Sequence, residues 1–309
     1  MTLDFVFTAK ALIIGLLTGL MSGGFGVGGG IVCTPLVRIF LDVDPHVAVG
    51  TTMALIVPTS IAGAFNYIKK SQFDKVMAAK LAPTAILGTI AGALATQYIH
   101  PQLLMILFAL LVFVAGLDLA LGIGQNLKVQ REKEAALLRN IVSTPEVKFP
   151  VIATKETLPV VVSEALPATG IAPYFLGLAA GLFAGFFGVG GGFLLVPCLL
   201  YFYRFGVKAA FGTSLVVIAA VAIPGTVSHG ALSHVSMELA LLMIAGSIPG
   251  SFLGSALALK LKDSWLRRGF GIVMLIMSIT MAVREFSPMA FSQVSGNAPK
   301  AEDSAKRPN

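Results

Sequence analysis

Polar residues in this chain are confined to short breaks between long apolar blocks. Residues 81–99, 103–117, 209–227, 239–259 and 269–283 contain no Asp, Glu, Lys or Arg. About 20 such residues cross a hydrocarbon core as a helix. The pattern therefore predicts a series of membrane helices over 3–22, 47–68, 76–99, 103–123, 171–184, 209–229, 237–259 and 266–283. Two shorter apolar segments, 31–41 and 193–203, are interposed. At about 1.5 Å per residue neither is long enough to cross a core of about 30 Å. Each short segment follows a glycine run: GFGVGGG at 24–30 and FFGVGGG at 186–192. Glycine loses the most backbone freedom on ordering, so these runs predict breaks in the helices.

The runs belong to an internal repeat. A shift of 162 residues aligns the chain with itself without a gap, and 11 of 17 positions between 15 and 31 match their partners at 177–193. Pro35 pairs with Pro197, Gly50-Thr51 with Gly212-Thr213, and Gly88 and Gly92 with Gly250 and Gly254. The last two are GxxxG pairs, which let helices approach closely. The predicted organisation is a first membrane repeat over 1–123, a linker over 124–170, a second repeat over 171–286 and a polar tail, expected to be disordered, over 287–309. The linker opens as a charged helix, KVQREKEAALL, and turns to Val, Thr and Pro from 147 to 167, an extended composition. A retained first helix is expected in place of a signal peptide, because no small-x-small cleavage site follows the first apolar run.

Composition agrees. Hydrophobic residues make up 56% of the 309 and charged residues 12%, against about 25% charged in a soluble domain. Mean hydropathy is +0.87. The class is an all-α polytopic membrane protein of two homologous units. Each unit has four to five apolar segments and a glycine-broken helix hairpin. The net charge of +7 belongs to loops beside helix ends, where it sets orientation, and is not read as a nucleic-acid surface. Its placement also orders the units. Lys69, Lys70, Lys75 and Lys80 follow the first long segment of unit one, whereas the equivalent stretch 230–236 of unit two has no Lys or Arg. Lys260, Lys262, Arg267 and Arg268 fill the next turn of unit two, and the equivalent turn at His100-Pro101 has none. Under the positive-inside rule this predicts inverted repeats with a cytoplasmic linker, as in many secondary transporters, and identical orientation of the two units is the alternative.

The chemistry expected of such a chain is limited. Gly24 to Gly29 satisfies GxGxxG on paper, but a membrane helix precedes it and Phe186 breaks the pattern in the second copy, so no dinucleotide site follows. No phosphate-binding GxxxxGK[ST] run, metal cluster or nucleophile–base pair is present, and neither an enzyme nor a cofactor is expected. Cys33 and Cys198 lie in apolar segments at no redox or metal spacing. The long core segments read as free of carboxylates, which weighs against a cation path.

Backbone N–H groups at a helix N-terminus make an anion site, and irregular backbone at membrane depth persists only inside protein or along a wet cavity. The candidate substrate-binding residues are accordingly Gly26, Gly28, Gly29 and Gly30 with Gly188, Gly190, Gly191 and Gly192. Thr51, Thr213 and Ser214 join them as hydroxyl donors beside paired glycines. The other hydroxyls, among them Thr59, Ser60 and Thr226, are expected to bond back to the preceding helical turn. His229, aligned with Tyr67 at the end of a core helix, is the candidate for a proton-linked role. Lys208 and Arg204 could attract anions on the cytoplasmic side, and Pro58, Pro224 and Pro249 are candidate hinges.

The paired GVGGG loops, each followed five residues later by a proline and then by GTT or GTS, resemble the TauE/SafE family of sulfite exporters and related sulfonate-uptake-type permeases. The resemblance covers both membrane units. It implies transport of sulfur-containing or organic anions across the cytoplasmic membrane by a multi-pass protein. A secondary permease for sulfite, sulfonates or related anions is the expected function, and a passive anion channel is the alternative. Expected partners are a small anion and the lipid bilayer, with a homo-oligomer left open.

Overall fold

The computed structural model describes residues 5–121 and 170–286. The expected tail and, apart from Gly170, the expected linker lie outside the described residues. Among the described residues the chain forms ten α-helices and no strand. Unit one contributes α1 (Phe5–Phe25), α2 (Gly30–Phe40), α3 (Pro45–Lys69), α4 (Lys75–Thr96) and α5 (Pro101–Leu121). Unit two contributes α6 (Ala172–Phe187), α7 (Gly192–Tyr201), α8 (Val207–Ala231), α9 (Met237–Lys260) and α10 (Asp263–Phe286). Seven of them are long and apolar enough to cross a membrane, and α2, α6 and α7 are shorter. The protein is a multi-pass helical membrane protein, as the hydropathy pattern predicted.

Local chemistry sets the helix starts. Asp44 caps α3 by accepting from His46 N–H, with Pro45 as the first helical residue. Asp74 caps α4 by accepting from Met77 N–H. Both leave fewer orphan donors at the helix N-terminus. One expectation needs correction. Helix α5 extends beyond the apolar block 103–117 and carries a carboxylate, Asp118, in its last turn. The long helices are therefore not free of acids. The candidate hinges Pro58, Pro224 and Pro249 each lie within one unbroken helix.

The packing interleaves the two units. Helices α3 and α8 pack on each other at the centre. Helix α1 lies along α9, α6 lies along α4, and α5 lies along α10. Under the 162-residue shift, α1 on α9 is the counterpart of α6 on α4, so the first helix of each unit packs on the fourth helix of the other. Glycine stripes make these seams. A Cβ on Gly15, Gly19 or Gly23 would run into the backbone of Met243, Ser247 or Ser251 on α9. Gly246, Gly250 and Gly254 meet Leu12, Leu16 and Leu20 in return. Gly177, Gly181 and Gly185 meet Leu81, Ala85 and Thr89 on α4 in the same manner. Backbones this close gain dispersion and Cα–H···O contacts, which replace the hydrophobic drive that lipid cannot supply. The helices turn large apolar side chains outward, including Leu87, Leu110, Val227, Leu241 and Leu253. Such an outer surface suits lipid and not water.

Candidate functional site

Both glycine loops lie buried at the centre, in backbone contact with each other. A Cβ on Gly30 would stand 2.8 Å from the Val189 carbonyl carbon, and one on Gly192 would stand 2.5 Å from Val27 Cα. Gly28 and Gly190 both face Ile218 of α8 and Ile56 of α3. Gly26, Gly28, Gly29, Gly188, Gly190 and Gly191 all have positive φ, between 65° and 84°. Gly29 and Gly191 are the left-handed N-caps of α2 and α7. None of the N–H groups of 27–31 and 189–193 donates to a backbone acceptor among the described hydrogen bonds outside helices. Buried N–H groups ordinarily find a partner.

The hydroxyls singled out in the sequence sit around these loops but are engaged differently from one another. Thr51 Oγ1 accepts from Ser236 N–H at 3.0 Å, and Thr213 Oγ1 accepts from Asp74 N–H at 2.9 Å. Each ties a central helix to the N-terminus of the fourth helix of the other unit. No described hydrogen bond uses either hydroxyl proton. Ser214 donates to the Gly26 carbonyl and shares its proton with Phe211 O at 2.9 Å. Thr59, Ser60 and Thr226 bond back to Leu55, Ile56 and Ala222 as expected.

Two hydroxyls not singled out in the sequence prove to be the unusual ones. Thr18 and Ser22 on α1 are fully buried, and neither Thr18 Oγ1 nor Ser22 Oγ makes a hydrogen bond of ordinary geometry; the Cys33 thiol, shared with Thr52, is the polar group beside Thr18. They flank the start of α2: a Cβ on Gly29 would lie 2.6 Å from Thr18 Cγ2 and 3.3 Å from Ser22 Cβ. Thr34 and Thr52, buried nearby and 3.4 Å apart, extend the polar group. Their repeat counterparts are Ala180, Ala184, Val196 and Ser214. The repeat alignment thus carried the signal, since Thr18 and Ser22 are polar where the second copy has alanine. An orphaned buried hydroxyl costs about 1–3 kcal/mol, and here two stand beside the same loop.

The two ends of the central helix pair differ. At one end Lys69 of α3, Lys70 just after it, Gln72, Lys208 of α8 and Lys260 of α9 line a cavity of about 500 Å³ with Asn66. Lys208 Nζ donates to Leu259 O at 3.0 Å and lies 4.0 Å from Asp263. Arg204, the other cytoplasmic candidate, is not among the cavity's lining residues. At the other end of α3, roughly 35 Å away by helix rise, His46 stacks on His234 with centroids 4.9 Å apart. His229 is fully buried; its Nε2 lies 2.8 Å from Gly185 O and its Nδ1 lies 3.4 Å from His234 Nδ1. A carbonyl only accepts, so Nε2 carries the proton and Nδ1 is the bare nitrogen of neutral His229.

These features define a polytopic membrane protein with buried hydrogen-bond donors and a cationic mouth, the architecture of a transporter. The chain belongs to the TauE/SafE sulfite exporter family, which matches residues 11–281. Relatives include a probable membrane transporter protein of Xylella fastidiosa (strain Temecula1), 28% identical over 91% of this chain and 99% of the relative. The probable membrane transporter protein YunE of Bacillus subtilis is 27% identical over 86% and 93%. A probable membrane transporter protein of Haemophilus influenzae is 26% identical over 91% and 100%. No solved structure matches the chain.

Proposed function

We propose that the protein is a secondary permease of the cytoplasmic membrane that carries small anions, sulfite, sulfonates or related organic anions, and catalyses no reaction of its own. One observation carries the reading: Thr18 and Ser22, buried and without a hydrogen bond of ordinary geometry, stand against Gly29, in a loop whose N–H groups donate to no backbone acceptor among the described bonds outside helices. Backbone N–H groups without an acceptor suit an anion, and a hydroxyl can turn its proton toward one. The candidate site is thus Gly26 and Gly28 to Gly30 with Thr18, Ser22 and Thr51. The second loop, Gly188 and Gly190 to Gly192, faces it, with Thr213 and with Ser214, which is bonded to the Gly26 carbonyl of the first loop. Because the loops touch, an anion reaches these N–H groups only when the units shift against each other, which is alternating access.

The inverted arrangement of the repeats is part of this reading. It is supported by which loops share an end: the turn after α3 lies with the start of α8 and the end of α9, while the start of α3 lies with the turn after α8. By the positive-inside rule the lysine cavity is cytoplasmic. There it would concentrate anions at the mouth. Lys208→Gln is expected to weaken cytoplasmic anion affinity about two- to fivefold and to reduce its salt dependence, since one screened charge is worth about 1 kcal/mol or less. Flux measured against ionic strength checks this.

The decisive experiment is sulfite flux in proteoliposomes. Saturable flux with counterflow is expected. Unsaturable conductance would establish the channel alternative, and absence of flux with sulfite, sulfonates and short carboxylates would defeat both. The double variant Thr18→Val and Ser22→Ala removes two donors at nearly constant volume. It is expected to lower sulfite affinity at least tenfold, since a hydrogen bond to a charge contributes about 1.5–3 kcal/mol. Its unfolding temperature should change little, because neither hydroxyl makes a hydrogen bond of ordinary geometry.

A further inference from the structure

The pseudo-symmetry sets the histidine cluster opposite the lysine cavity, position by position. The 162-residue shift maps His46 onto Lys208, His234 onto Gln72 and His229 onto Tyr67. Lys208 and Gln72 line the lysine cavity. The same place in the fold thus carries a permanent cation at one end and imidazoles at the other. We propose that His46, His229 and His234 form a proton-loaded anion site at the mouth opposite the lysine cavity, so that an anion enters there together with a proton. The inference rests on the permease reading and adds the coupling ion to it.

Geometry supports the proton first. The three rings make a chain from the half-buried His46 and His234 to the fully buried His229, whose Nε2–H is held by Gly185 O of α6. With that tautomer fixed, His234 must donate through Nδ1 to His229 Nδ1, and His234 Nε2 is left to take a proton. His229 lies in the last turn of α8, where the helix dipole favours a cation. His46 Nε2 is buried and has no hydrogen-bond partner. A second ring nitrogen thus waits for a proton or a guest.

The surrounding charges support the anion. Asp44, the N-cap of α3, lies 4.0 Å from His46 Nδ1. Asp42 is held by Arg284 of α10, and Arg38 of α2 donates to Val43 O at 2.7 Å. Glu238 is exposed in the first turn of α9. From α6 the cluster is faced by the Gly185 carbonyl. Burial pushes His234 below the ordinary imidazole value, and His46 adds to this while Asp44 opposes it. A proton on His234 is therefore disfavoured while no anion is bound. A second proton then meets the first across stacked rings. One carboxylate near three imidazoles cannot compensate two protons, but a bound anion can. By linkage each then favours the other.

The chain has four histidines, so imidazole NMR of the purified full chain labelled at histidine Cε1 resolves the question directly. Titration is run with and without sulfate, whose charge is constant through the imidazole range. Sulfate is expected to raise the midpoints of two cluster histidines by about one pH unit, a tenfold coupling. His100, at the turn before α5, should not move. His234→Gln and His46→Lys install the residues of the opposite mouth. Each should abolish the sulfate-linked shift and flatten the dependence of sulfite and sulfate flux on the pH at the histidine side. Midpoints identical with and without sulfate, or an unaltered pH profile in both variants, would overturn the proposal. Sulfate-linked titration in a protein that carries no tested anion would keep the site and remove the permease reading.

Discussion

Gly181→Val is expected to lower the unfolding temperature and the yield of folded protein in detergent sharply, whereas Gly230→Ala on α8 is expected to behave as wild type. A Cβ on Gly181 would collide with the Ala85 carbonyl and stand 2.6 Å from Ala85 Cα, while one on Gly230 meets nothing within 4 Å. The obstacle at Gly181 is backbone, which cannot rotate away as a side-chain tip can. Helices α4 and α6 would have to part. Parting them also breaks two buried hydrogen bonds across the seam, Thr89 Oγ1 to Gly181 O and Thr96 Oγ1 to Phe186 O, each 3.1 Å. Overpacking of about 1–3 kcal/mol and two lost hydrogen bonds of about 1 kcal/mol each come to about 3–5 kcal/mol, against a typical stability of about 5–15 kcal/mol. Size-exclusion profile and unfolding temperature in detergent decide the matter, and a Gly181→Val protein that matches wild type in both would sink the account of the seam. Gly19→Val tests the equivalent seam of α1 and α9, where the obstacle is the Ser247 backbone.

The second large effect is functional. Gly28→Ala and Gly190→Ala should each reduce flux at least tenfold. Both positions have positive φ, 75° and 76°, where an L side chain costs about 1 kcal/mol or more. Both new methyls would meet the same atom, Ile218 Cγ2, at 2.7 and 2.9 Å. Adding Ile218→Ala makes room for either. It should bring the unfolding temperature of Gly28→Ala part of the way back, because the added methyl fills some of the space that Ile218 vacates. Flux should stay low, because the methyl still crowds the loop on which the anion is proposed to bind. Wild-type flux in Gly28→Ala would remove the loops from the site. A flux that recovers in step with stability would make them structural only.

The sequence carried much of this architecture because apolar runs and caps are local. Helix ends fall within a few residues of those read from hydropathy, since Asp44-Pro45 and Asp74 stop and start the chain by bonds made within a turn. The GVGGG breaks were visible for the same reason: a left-handed backbone selects glycine wherever it occurs. The GxxxG pairs at 88/92 and 250/254 were visible too. Their partners were not, because a stripe of small residues declares that a backbone approaches without naming which one.

The candidate site divides likewise. Sequence alone determined an all-helical, twice-repeated membrane protein with glycine-broken helices and unequally charged loops. Those properties follow from transfer energies and backbone sterics, which act residue by residue. Only the tertiary structure decided that the first helix of each unit packs on the fourth helix of the other, and that the two loops touch. Only it decided that Thr18 and Ser22 make no hydrogen bond of ordinary geometry, and that His46, His229 and His234 converge. Positions 46 and 229 are far apart along the chain, and a hydroxyl on a helix bonds back to its own backbone unless a neighbour intervenes. Satisfaction of a polar group depends on what surrounds it in space, and the interleaving of the units sets that.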